Sequence, residues 1–143
     1  FPSKQLEFEQ TFGVRVVADS IIEAPLYSES FDYVGLFFNL DSIETEAMIN
    51  KLTALIVDLE WEADAVNYLQ YNFIDLVNEN PRLIVDYLDQ YDMELIESFW
   101  RFYFTGPIAQ KITPEEFIFL ETENLKIFNV MQSEWGKARS AQE

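Results

Sequence analysis

The chain has no histidine and no cysteine among its 143 residues, and four glycines in all. Without histidine there is no Ser-His-Asp or Cys-His catalysis, no imidazole zinc site and no ordinary switch of charge near neutrality. Without cysteine there are no disulfides, thiolate nucleophiles or thiolate metal sites, and the redox compartment stays open. Glycine is too sparse, and placed wrongly, for the phosphate-cradling G-x-G-x-x-G or Walker A loops, and no G-x-S-x-G elbow occurs. No apolar run approaches the roughly 20 uncharged residues that a membrane-spanning helix requires, so the sequence predicts no membrane span and a soluble protein; a cytoplasmic location is the expectation, with a secreted or periplasmic one as the alternative.

Positive charge is the remaining scarcity. Nine Lys and Arg face twenty-six Asp and Glu, for a net charge of -17. The imbalance is regional: positions 16 to 100 hold eighteen acidic residues against Lys51 and Arg82, a local balance of -16. Such a field repels nucleic acid and anionic membranes and attracts basic proteins, which argues against direct nucleic-acid binding. Yet 49% of the residues are hydrophobic and 16% aromatic, far above a disordered acidic tail. The charge belongs on a folded body. At this length one domain is the natural expectation, burying about two thirds of its unfolded surface.

The stretch from Asp41 to Asn80 organises the rest. Met48, Leu52, Leu55, Leu59, Val66, Leu69, Phe73 and Leu76 recur at three-then-four spacing, with Ile49, Ile56 and Val77 beside them, which predicts one helical stripe. Asp41 and Glu44 resemble a capping box, and Pro81 ends the stretch by driving Asn80 out of helical dihedrals. Unbroken, such a helix is too long for a compact domain, so a kink or turn is expected near Glu60 to Asp64.

Before this stretch, Phe1 to Ile22 reads as helix, with a hairpin around Thr11-Phe12-Gly13 as the alternative. Glu23 to Asn39 reads as an aromatic connection covering the core, with a short helix from Ser30. After it, Asn80 and Pro81 open a helix whose apolar face is Leu83, Ile84, Tyr87, Leu88 and Tyr91. Asp92 caps another from Met93 to Phe104, which Thr105-Gly106-Pro107 stops. Thr113-Pro114-Glu115-Glu116 predicts the start of a last helix with Phe117, Leu120, Phe128, Met131 and Trp135 inward and Gly136 near its end. These signals predict an all-α, orthogonal or bundle-like single domain, 1–143, of five to six helices. An α+β fold with a small N-terminal hairpin or sheet is the alternative.

Two acidic clusters stand out. Asp58, Glu60, Glu62 and Asp64 cannot converge on one ion from a single helix, lack the Gly of a calcium loop, and lack the His of a helical dinuclear site. They read as a solvated face or as a docking surface. In the second cluster, Asp86 and Asp89 flank one helix, Asp92 caps the next, and Glu94 suits that helix's first turn, beside Glu97. The block from Phe99 to Phe104 reads as core, with Arg101 paired to a carboxylate or lying over a ring. A carboxylate acid/base pair needs no histidine, but with twenty-six acids proximity alone means nothing.

The reading that best joins these features is a non-catalytic, acidic protein-binding module that docks a basic protein, such as an inhibitor or immunity protein or a mimic of the phosphate backbone. No cofactor or metal is expected. The docking residues expected are Asp58, Glu60, Glu62, Asp64, Asp75, Glu79, Asp86 and Asp89, with Tyr68, Tyr71 and Tyr91 as exposed aromatic anchors. The alternative is an accessory or structural subunit, oligomeric or held in a larger assembly through Phe31 to Leu40 or Phe99 to Phe104.

Overall fold

A computed structural model describes residues 1–57, 59, 64–108 and 113–141. Its elements run α1 (Gln5–Phe12), β1 (Val14–Val17), β2 (Ser20–Glu23), α2 (Ser30–Phe38), α3 (Thr45–Ile56), α4 (Asp64–Glu79), α5 (Pro81–Leu88), α6 (Met93–Phe104), a 3₁₀ turn (Glu115–Phe117), α7 (Leu120–Glu123) and α8 (Leu125–Ser140). The protein is mostly helical with one small antiparallel hairpin, the α+β alternative, and the described residues form eight α-helices where five or six were expected. The backbone separates into two compact units, Phe1–Asn72 and Phe73–Glu143, with the boundary inside α4.

In the first unit the helix expected over Phe1 to Ile22 forms only from Gln5 to Phe12, and the hairpin turns not around Thr11-Phe12-Gly13, which ends that helix, but at Ala18-Asp19. α1 buries Phe8 and Phe12, and Phe1, Phe8, Phe12 and Phe37 form a ring cluster in which Phe1 stacks on Phe37 at 4.1 Å. Gly13 then ends α1. Its N–H donates to the Glu9 carbonyl at 2.8 Å, and a Cβ there would sit 2.6 Å from that oxygen, so only glycine lets the chain turn this tightly into β1. β1 pairs with β2 from Val14↔Glu23 to Val17↔Ser20, joined by Ala18 and Asp19 at positive φ, 47° and 64°, the two-residue turn whose twist suits a hairpin.

The central stripe is two helices. α3 buries Met48, Ile49, Leu52, Leu55 and Ile56, and Val57 leaves the helix at φ -60°, ψ 120°. α4 opens at Asp64 and buries Val66, Leu69, Phe73 and Val77, while Leu76 is half-buried. The chain leaves the helix at Val57, ahead of the break expected near Glu60 to Asp64; residues 60–63, on which most of that expectation falls, lie outside those described. The Asp41–Glu44 capping box does not form. Ile43 N–H bonds the Leu40 carbonyl in a turn, and α3 starts only at Thr45, with Glu44 extended and its side chain making no cap. A backbone turn occupies the segment where the earlier start was expected.

In the second unit, Pro81 occupies the first turn of α5 as expected, but the Asn80 side chain donates back to the Leu76 carbonyl at 2.9 Å instead of capping. Asp92 does cap α6, accepting from Leu95 N–H at 3.1 Å. α6 buries Phe99, Trp100, Phe102, Tyr103 and Phe104, with Phe73 edge-on to Phe99 and Phe102, and Trp100 edge-on to Phe117. Gly106, at φ 96°, turns the chain away in a conformation that favours glycine.

The last helix differs from the expectation in two ways. Pro114 stays extended (ψ 133°) and Thr113 makes no cap, so Glu115–Phe117 is only a 3₁₀ turn. Asn124 then interrupts the chain at φ -147°, ψ 81°, and its side chain caps α8 by accepting from Ile127 N–H at 3.2 Å. The buried face of α8 is Ile127, Val130, Met131, Glu134 and Ala138, about one residue round from the expected stripe; Phe128 and Trp135 are half-buried, and Gly136 lies within the helix.

Candidate protein-docking surface

The carboxylates expected to dock a partner divide between the two units. In the first, Asp64 stands exposed at the first turn of α4, where a negative charge suits the helix dipole. Its charge pushes the Tyr27 hydroxyl above its ordinary range, with partial burial and Glu23 adding to the shift. Tyr68, one turn along, is half-buried and meets Phe31 of α2 edge to face at 5.2 Å. Tyr71 is 56% exposed. Asp64, Tyr68 and Tyr71 thus lie at i, i+4 and i+7 on one flank of α4. Asp58, Glu60 and Glu62 lie outside the described residues.

In the second unit, Asp75, Glu79 and Asp86 are exposed. Asp89 is exposed but tied down, accepting from Asn124 Nδ2 at 3.0 Å. Tyr91 is half-buried, 4.8 Å from the Tyr87 ring, and its carbonyl accepts from Lys126 Nζ at 3.2 Å. Asp89 and Tyr91 therefore help hold the end of α5 to the start of α8. Tyr68 and Tyr91 are half-buried rather than exposed, leaving Tyr71 as the open aromatic anchor of the three.

Most of the described carboxylates stand outside the ion pairs that the described residues form. Among the described residues the ion pairs are Arg82–Glu123 at 2.9 Å, Arg101–Glu134 at 3.6 Å and Lys137–Glu134 at 2.5 Å, and they occupy two carboxylates, Glu123 and Glu134. Arg82 grips Glu123 with both terminal nitrogens and covers the Phe119 ring at 4.4 Å, holding Glu123 below the usual carboxylate range. Asp64, Asp75, Glu79 and Asp86 take part in none of these pairs. Among the described residues no acidic group of three or more is placed to hold a metal ion, and no helix is long and apolar enough to cross a membrane.

Sequence reasoning missed how far α2 faces outward. The segment was expected to cover the core, and Val34 and Phe37 do so, but Phe31 is 65% and Leu36 59% exposed. These two line a groove with Asp32, Gly35, Asn39, Tyr71 and Asn72. The signal lay in the sequence: in SFDYVGLFF every face of the helix carries an apolar side chain, more than one buried stripe can absorb. Glu134 was missed because a carboxylate at an inward position gives no apolar signal. No protein-family model, curated protein or solved structure matches this chain.

Proposed function

We propose that this chain is an acidic, non-catalytic protein-binding module that docks a basic partner protein, in the manner of an inhibitor or immunity protein or of a mimic of the phosphate backbone. The observation that carries the reading is that Asp64, Asp75, Glu79 and Asp86 are exposed and, among the described residues, in none of the ion pairs, although Asp86 acts on Arg82 through its field. Unpaired like charge costs stability through self-repulsion and repays it only when a cation arrives. Carboxylates of this kind raise the association rate and select basic partners, while an aromatic such as Tyr71 supplies the anchoring contact.

The test is retention of a basic protein from native extract on the immobilised chain, across a salt gradient. Elution as the screening length falls from about 10 Å at 0.1 M to about 3 Å at 1 M salt supports the proposal, as does loss of retention when Asp64, Asp75, Glu79 and Asp86 are replaced together by their amides. Tight retention indifferent to both changes would overturn it. A second reading, an accessory subunit of a larger assembly, draws on the exposed apolar residues of α2; salt-independent self-assembly in solution would favour it.

A further inference from the structure

We propose that the groove between α2 and α4 in the first unit seats the apolar face of a basic amphipathic helix from the partner, a refinement that rests on the acidic docking reading above. The groove is open to solvent and offers about 620 Å³, and its apolar lining comes from Phe31, Leu36 and Tyr71. Each of these is more than half exposed, so the folded chain leaves uncovered the kind of surface that anchors partners.

Gly35 sharpens the reading. It lies inside α2 and lines the same groove, and a Cβ built there would meet no atom within 4 Å. A glycine in a helix costs roughly 1 kcal/mol against alanine, and nothing among the described residues fills the space of the missing side chain. Its effect is to keep the groove low between Phe31 and Leu36, which lets another backbone approach closely. Two helices flanking a trough accept a third, whose side chains at i, i+3, i+4 and i+7 fill it.

Charge selects the occupant. Asp32 lines the groove, and Asp64 lies one turn before Tyr68, the residue that touches Phe31. Residues 1–72 carry thirteen carboxylates and three cations, Lys4, Arg15 and Lys51, none of which lines the groove. A second copy would set two such negative units face to face, whereas a helix with Lys or Arg flanking its apolar stripe would meet Asp32 and Asp64 with opposite charge.

The test is fluorescence anisotropy with three labelled peptides: Leu and Lys with Leu at i, i+3, i+4 and i+7; the same composition scrambled; and the patterned peptide with Glu for Lys. Sedimentation velocity of the protein alone accompanies it. The patterned basic peptide should bind at least about tenfold tighter than either control, a factor worth 1.4 kcal/mol. Gly35→Leu, which fills the groove, and Tyr71→Ala should each lose that factor with the circular-dichroism spectrum unchanged; if Gly35→Leu misfolds, Tyr71→Ala decides. Equal binding of patterned and scrambled basic peptides overturns the groove and leaves the acidic docking reading standing, while binding by neither overturns both. Variants that bind like the parent chain, or a homodimer that Gly35→Leu dissolves, also overturn the proposal.

Discussion

Arg101 Nε lies 3.6 Å from Oε2 of Glu134, a carboxylate 2% exposed on the inward face of α8, while Lys137 Nζ reaches its other oxygen. The one charged residue in the aromatic block of α6 thus answers the one charged residue buried in α8. A carboxylate withdrawn from water needs such partners, because desolvation penalises it heavily when alone. Removing both cations in an Arg101→Ala, Lys137→Ala double variant should destabilise the protein by about 2 kcal/mol, less than the 3–5 kcal/mol typical of fully buried pairs because both cations remain partly solvated. Urea unfolding checks this, and Glu134→Gln should cost less than the double variant, since it removes the charge itself.

The caps offer a comparison between two that form and one that does not. Asp92→Ala removes the acceptor for Leu95 N–H, and Asn124→Ala removes the acceptor for Ile127 N–H together with a bond to Asp89. Each should cost about 1 kcal/mol. Asp41→Ala touches no cap and should stay within about 0.5 kcal/mol of the parent chain. Chemical denaturation of the three variants provides the measurement.

Alkaline pH should destabilise the protein through Tyr103. Its ring is fully buried, its hydroxyl donates to Asn78 Oδ1 at 2.8 Å, and burial raises its ionisation far above the ordinary tyrosine value of 10. Above pH 10 the unfolded chain releases this proton and the folded chain retains it, so the unfolded state binds fewer protons and stability falls as pH rises. The slope should approach 1.36 kcal/mol per pH unit. Tyr103→Phe should remove that component, as read from thermal midpoints between pH 9 and 11, at the cost of the bond to Asn78.

Salt should stabilise. With a net charge of -17 and most described carboxylates outside any ion pair, the folded state carries self-repulsion that counter-ions screen. Moving from about 0.01 M to about 0.5 M sodium chloride should raise the melting midpoint by several degrees. The shift should shrink when Asp64, Asp75, Glu79 and Asp86 become amides.

Gly35→Ala should stabilise α2 by roughly 0.5–1 kcal/mol, since the new methyl enters open space and reduces the freedom of the unfolded chain. Gly13→Ala should do the opposite, because its methyl would press on the Glu9 carbonyl. Thermal melts of the pair make the contrast visible.

Where local chemistry and tertiary packing agree, the amino-acid order was enough. Asp92, a run from Met93 to Phe104 free of Gly and Pro, and Thr105-Gly106 define α6 within a few covalent bonds of themselves, and the spacing of Met48 through Val77 marks the core-facing sides of α3 and α4. The capping box at Asp41 and the start at Thr113 failed because each pattern had a rival only the folded backbone reveals: the turn from Leu40 to Ile43, and the extended Pro114 that leaves a single 3₁₀ turn. The Asn124 break lay hidden because Leu120 and Ile127 keep helical phase across it. Three further features were decided by the tertiary structure: that Glu134 faces inward, that Tyr68 rests on Phe31, and that Phe31, Gly35 and Leu36 border a trough. Each depends on where a second helix lies in space, which hydrophobic periodicity along one helix does not encode. The abundance of negative charge was written in the composition; which carboxylates remain uncompensated on the surface was settled by folding.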